Sequence, residues 1–309
     1  MGDIMFFFTN YTFQSVIAFV LLLIGLLIIN EITRRSKGAA VGIYIVLPII
    51  LTIFLWPKTA GAGTSGGYWF AWVKTYSALA GVIGFMAMRY IKRVRENKYA
   101  IYFPVAILVL NIIEAILRDI EVYSMTGEIE NGLVMLGGPW NIINAIAGVF
   151  LILSLTGWVG IKISNTESKD MVWADQLWFW IIAYDIWNFA YCYNCISNRS
   201  MYAGVLILLA CTIAEVFKRG IWLQHRAATL AIWGMFSLSL DYAKYPAFSI
   251  TSTQNPVALM TLSIIALIAN VAVFIYEIYT IKKTKRNPFK EDMYSHLDSY
   301  KKNLSANGL

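Results

Sequence analysis

Residues 256–281 read PVALMTLSIIALIANVAVFIYEIYTI and carry one carboxylate, Glu277, and no basic residue. As an α-helix this stretch rises about 39 Å at about 1.5 Å per residue, more than the roughly 30 Å of a bilayer's hydrocarbon core. Runs of the same kind fall near residues 12–30, 39–56, 72–91, 99–120, 139–161, 172–194, 201–217 and 227–244. The sequence therefore predicts an all-α, polytopic integral membrane bundle of about nine transmembrane helices. The third and eighth runs are the least apolar. No sustained alternation runs along the chain, which argues against a β-barrel. Hydrophobic residues make up 59% of the chain and charged residues only 14%, too little charge to clothe a soluble domain.

The net charge of +7 is distributed as topology rather than as a nucleic-acid footprint. With the N-terminus placed outside, the basic residues around Arg34, around Arg93, around Lys162, from Lys218 to Arg226 and after Lys282 all fall inside. Lys58, Lys74, Arg118, Arg199 and Lys244 fall outside. The expected arrangement is a cell-membrane protein, N-terminus out and C-terminus cytoplasmic, with membrane lipids as partners, a small-molecule solute and a homo-oligomer as further possibilities, and no nucleic acid. Residues 1–281 form the bundle, divisible into two N-terminal helices and a seven-helix core from about residue 72. Residues 282–309 form a basic tail, in which Phe289, Met293, Leu297, Tyr300 and Leu304 recur at helical spacing. That spacing predicts a short amphipathic helix lying on the inner membrane surface. The outer loop at 119–138, with Asp119, Glu121, Glu128 and Glu130, reads as a solvated acidic segment or a mouth that gathers cations.

A charge at mid-bilayer costs roughly 2.5–3.5 kcal/mol on insertion scales, so intramembrane polar residues are the functional candidates. On the fourth helix Asn111, Glu114 and Arg118 share one face, with Glu114 and Arg118 spaced as an i, i+4 ion pair. On the sixth, Asp185, Asn188 and Cys192 form one stripe, with Tyr184, Trp187 and Tyr191 beside it. Aromatic faces around a carboxylate suit a cation, and Glu114 and Asp185 lie at matched depth. Asn144 on the fifth helix and Asn270 on the ninth complete the candidate lining, Asn270 in a line with Ser263 and Glu277. Each candidate also has a structural reading, as an interhelical hydrogen bond or ion pair. Cys192-Tyr-Asn-Cys195 lacks the further ligands of a zinc site and the context of a redox motif, and reads as packing. No cofactor or metal is expected.

The stretches GGPWNIINAIAG (137–148), DQLWFWIIAYDIWNFAYCYNC (175–195), WLQHRAATLAIW (222–233) and KTKRNPFK (283–290) resemble an uncharacterised bacterial membrane-protein family known only as a domain of unknown function. That resemblance covers nearly the whole chain and implies no activity. YIKRVRENKY (90–99) with NIIEA (111–115), and KRG (218–220) with HRAATLAIW (225–233), are similar to fungal integral-membrane terpene cyclases. This second likeness implies Glu114 as a proton donor to an isoprenoid. The Asn111–Glu114 spacing is three where that family has four, and Asn270 stands in place of an Asp.

Three functions are compatible with this reading. The first is a transporter or channel for a small polar or cationic solute, with Glu114 or Asp185 binding the solute or a coupling proton. The second is an intramembrane enzyme acting on a lipid or isoprenoid, with Glu114 and Asp185 catalytic. The third is a sensing or structural membrane protein in which the carboxylates hold helices together.

Overall fold

The structure, a computed structural model, describes residues 6–64, 66–130 and 133–309, with only the backbone described at 128–130. The side chains of Glu128 and Glu130 in the acidic loop lie outside the described residues. Helical segments occupy each predicted run. They are α1 (Phe13–Arg35), α2 (Lys37–Thr59), α3 (Trp69–Tyr90), α4 (Ala100–Val122), α5 (Pro139–Leu153), α6 (Trp178–Cys195), α7 (Met201–Phe217), α8 (Trp222–Ser239) and α9 (Pro256–Thr284). Of these, α1 to α4 and α9 are long and apolar enough to cross a membrane. The other four are shorter or more polar.

Several boundaries differ from the hydropathy reading, and three of them change the reading of the bundle. The fifth run ends at Leu153 rather than 161, and the sixth starts at Trp178 rather than 172. Between them Ile161–Ile163 (β4) pairs antiparallel with Met171–Trp173 (β5), so apolar residues that look helical belong to a buried hairpin. The eighth helix starts at Trp222 rather than 227, taking Gln224, His225 and Arg226 into the bundle, where all three are buried. A hydropathy window discards such residues because it cannot distinguish a buried polar face from a loop. Two further hairpin-like pairings close the opposite end: Phe8–Thr9 (β1) with Thr251–Ser252 (β6), and Thr126–Glu130 (β2) with Leu133–Leu136 (β3).

Helix α6 is the hub. Trp180, Tyr184, Trp187 and Tyr191 are all buried, because α5, α7 and α9 surround it. This central position accounts for its aromatic load. Helix α3 lies along α8, and α4 along α5. At the rim, only 17% of the apolar stretch of α1 is buried, with Phe13 82% exposed. Helix α2 is equally bare, with Phe54 67% exposed. Apolar surface on that scale needs lipid or a partner to cover it. Wide π-type turns at Gly42–Val46 and Leu51–Leu55 precede Pro48 and Pro57 in α2. A proline lacks the N–H that a regular turn would use, and the widened turns accommodate the loss.

One end of the bundle is tied by Asp170, which is fully buried. Arg34 Nη1 donates to its Oδ2 at 2.7 Å and Gln224 Nε2 to its Oδ1 at 3.0 Å. The Ser168 hydroxyl donates to Oδ2 at 2.6 Å. Arg89 Nη2 stands 3.8 Å from Oδ1 and donates to the backbone carbonyls of Arg34 and Ser168. One carboxylate thus joins α1, α3, α8 and the β4–β5 hairpin. The tail docks on the same end. Met293, Tyr294 and Tyr300 are buried against Val172, Ala174, Leu177 and Ile221. The tail helix α10 (Asp298–Ser305) is shorter than the periodicity from Phe289 suggests. Its apolar residues cover protein rather than a lipid surface, because Asp175 accepts the backbone N–H groups of Met293 (3.0 Å) and Tyr294 (2.8 Å) and turns the chain inward.

Asp170→Ala should leave the buried Arg89 guanidinium without its carboxylate and Arg34 with Glu31 alone, at a cost of about 3–5 kcal/mol. Thermal unfolding in detergent checks this, with the exposed Asp298→Ala as the neutral reference. Burial pushes the Asp175 carboxyl up to about 6, against the opposing effect of its hydrogen bonds from Thr156, Tyr294 and Met293. Because the docked carboxyl holds its proton more tightly than the ordinary value of 3.8, its contribution to docking is complete below that value and is lost as pH rises through about 6. A nitroxide at position 301 should gain mobility across that interval, and the response should be absent in Asp175→Asn.

Candidate functional site

A cavity of about 80 Å³ lies between α3, α6, α7 and α8. Its wall takes Phe70 and Lys74 from α3, Asn188, Tyr191 and Cys192 from α6, and Arg226, Leu230 and Trp233 from α8. Tyr68, Arg199 and Tyr242 close it toward the N-terminal end. At roughly 10–15 Å³ per water-sized occupant, it holds a handful of non-hydrogen atoms. Gly234 lets α8 approach α3, since a Cβ there would stand 2.7 Å from Thr75 Oγ1. A smaller space of about 30 Å³, bordered by Phe85, Asn111 and Tyr184, shares Arg226 as a wall.

The lining is cationic. Its charged side chains among the described residues are Lys74, Arg199 and Arg226. Arg226 is 4% exposed. Its Nε donates to Tyr184 Oη and its Nη2 to Asn188 Oδ1, each at 3.2 Å. The guanidinium also lies 5.8 Å from the centre of the Tyr184 ring. Its Nη1 is buried with no hydrogen-bond partner, and no carboxylate among the described residues pairs with it. Lys74 is shared differently: Nζ donates to Glu114 Oε2 at 3.1 Å and to the Asn111 carbonyl at 3.0 Å.

The expected site residues separate into several places. Asn188 lines the larger cavity, and Asn111 and Tyr184 the smaller. Glu114 pairs with Lys74 rather than with Arg118. Arg118 instead reaches Glu121 at 2.7 Å and lies over Tyr68 and Phe70. The i, i+4 pair fails because α3 supplies Glu114 with a closer cation and the next turn of α4 supplies Arg118 with another carboxylate. Asp185 accepts from Thr212 on α7 at 2.7 Å and borders neither cavity, so matched depth does not bring it together with Glu114. Trp187 donates to the Asn144 carbonyl at 3.1 Å and stacks on Tyr191. Asn270 donates to the Ala183 carbonyl of α6 at 3.2 Å.

A second buried cluster centres on Asp119, which the sequence reading placed in a solvated loop. It is fully buried in the last turn of α4. Asn141 donates to it at 2.9 Å, Asn144 at 2.7 Å and the Cys195 thiol at 3.2 Å. Asn144 is thereby an interhelical fastener, and Cys195 takes part in the same polar cluster. Arg199 and Arg226 fall between the predicted runs, Asp119 was counted with the outer loop, and Lys74, though inside the third run, was counted only as an outer basic residue. For Arg226 the missed signal is the helical spacing of Trp222, Arg226, Thr229 and Trp233.

The fold thus defines a helical protein with, among the described residues, five helices of membrane-crossing length and apolarity, and with a small cavity lined by cations and aromatics between α3, α6, α7 and α8. The sequence pattern of a family described as a family of unknown function (DUF5692) matches residues 9–306, and the chain belongs to that family. No curated protein and no solved structure matches it.

The Lys74–Glu114 pair should behave as one unit. Glu114→Leu alone strands a buried ammonium, so its melting temperature should fall below that of the double variant Lys74→Met/Glu114→Leu. Additive losses in a double-mutant cycle would contradict this coupling.

Proposed function

We propose that the protein is a nine-span membrane protein, N-terminus outside and C-terminus cytoplasmic, that binds and passes a small oxyanion of carboxylate or phosphate type. Arg226 carries this reading. A guanidinium held away from water is costly unless its charge is balanced and its N–H groups are satisfied. Here the protein supplies neutral acceptors at two nitrogens and leaves Nη1 with none, in a side chain that lines the cavity. An oxyanion in the cavity provides the missing acceptor and the missing charge together, and guanidinium matches oxyanion geometry well. Lys74 adds attraction from the α3 side, and Tyr191 and Trp233 offer apolar contact to the rest of a small solute. The solute class thus narrows from the small polar or cationic solute suggested by the sequence to an anionic one, since neither carboxylate lines the cavity. The distribution of basic residues supports the orientation.

The aromatic walls also suit the second reading, an enzyme acting on an isoprenoid. That reading needs Glu114 as a proton donor at the substrate. Its engagement with Lys74, outside the lining, argues for the first.

Thermal unfolding of the detergent-purified protein tests the choice, because a ligand of the native state raises the melting temperature by mass action. Acetate, lactate or inorganic phosphate should raise it in the wild type and not in Arg226→Gln, with an affinity loss of at least about tenfold expected for a lost charge-assisted contact. A shift with quaternary ammonium compounds alone would contradict the proposal, and a shift with farnesol alone would favour the enzyme.

A further inference from the structure

A groove of about 630 Å³ runs between α1 and α7 at the end where the tail docks. Its walls change character along the helix axis. Leu27 and Ile28 on α1 and Ala214 on α7 make the part nearer the bundle's middle apolar, and Phe217, the last residue of α7, is 82% exposed. One turn on, Asn30 and His225 border it. At the end stand Arg34, Arg35 and Lys218, with Glu31 among them.

Two of these groups are built into the protein with hydrogen-bonding capacity unused, a donor on Asn30 and an acceptor on His225. Asn30 is 3% exposed and His225 2%. They bond each other, His225 Nδ1 to Asn30 Oδ1 at 3.3 Å, and leave Asn30 Nδ2 and His225 Nε2 buried without partners. An amide N–H cannot act as an acceptor, so Asn30 Nδ2 calls for an oxygen from outside the chain. Arg34 is held by Asp170 and Glu31, and Arg35 also pairs with Glu31. Lys218 Nζ donates to the Ala306 carbonyl at 2.6 Å, one bond for a group with three N–H donors. Arg35 reaches into solvent, its side chain 71% exposed.

We propose that this groove holds one anionic phospholipid from the leaflet on the tail side. The acyl chain lies along Leu27, Ile28 and Ala214. An ester carbonyl accepts from Asn30 Nδ2, and the phosphate sits between Arg35 and Lys218. Asn30 and Arg35 are five residues apart on α1, about 7 Å along the axis, a span that fits the glycerol segment between ester and phosphate. Basic pockets between helices at a membrane boundary recognise headgroups in this way. The volume lies within the range that suits a lipid-sized segment rather than a bare ion.

Native mass spectrometry of protein extracted from nanodiscs of mixed phosphatidylglycerol and phosphatidylcholine tests the assignment. The wild type should retain one phosphatidylglycerol with about tenfold preference over phosphatidylcholine, as expected for two basic contacts. The double variant Arg35→Ala/Lys218→Ala should lose that preference. Glycerol 3-phosphate, which has the headgroup chemistry without chains, should not displace the lipid. Equal retention of the two lipids, an unchanged preference in the variant, or displacement by glycerol 3-phosphate would each overturn the proposal. Because Lys218→Ala could loosen the tail, Arg35→Ala alone provides a second reading. It should lower the preference while leaving the melting temperature in phosphatidylcholine unchanged, and an unchanged preference would count equally against the site.

Discussion

A charge removed from water must be balanced inside the protein, and that constraint organises this bundle. Asp170 gathers Arg34, Arg89, Gln224 and Ser168. Glu114 takes Lys74, and Asp119 takes two amides and a thiol. Each of these sets draws its members from different helices, so the same contacts that balance a charge also fix helix rotation and register. Buried ion pairs add little net stability compared with apolar packing, but breaking one is expensive, which makes them effective at excluding alternative arrangements. Arg226, like Asp119, is held by neutral groups alone, but unlike Asp119 it lines the cavity. Its partners are a phenol and an amide, and one of its nitrogens has none. The functional reading rests on that difference.

The arrangement also separates fastening from binding along one helix. On α6, Asn188 and Cys192 face the cavity, while Cys195, one turn further, donates to Asp119. Trp187 stacks on Tyr191 and holds the Asn144 carbonyl. A movement of α6 would therefore disturb the cavity wall and the Asp119 cluster together. The aromatics that look like a cation pocket in one dimension are mainly the filling on the buried faces of a helix packed against several neighbours.

The helical class was legible because apolar periodicity is a property of long segments, and α1, α2, α4 and α9 each hold a long, strongly apolar stretch. The hairpin at 161–173 was not, because Ile161, Ile163, Met171 and Trp173 carry the same composition as a span and only their pairing distinguishes them. Arg226 illustrates the harder failure. Gln224, His225 and Arg226 lower local hydropathy and shift the apparent start of α8 by more than a turn, though they face the interior. The Glu114–Arg118 pair was a correct statement of local propensity. It was overruled by Lys74, forty residues away in sequence, and no local rule contains that neighbour. Asn188 and Tyr184 were picked out as polar or aromatic residues on one helix, and the structure gives each a contact to Arg226.

The account turns on whether an oxyanion sits beside Arg226, and anomalous diffraction from crystals grown with selenate asks that directly. The account predicts an anomalous peak within hydrogen-bonding distance of Arg226 Nη1, bounded by Tyr191 and Trp233, and its disappearance in crystals of Arg226→Gln. A cavity filled only by water at saturating selenate, or a peak that persists in the variant, would contradict it.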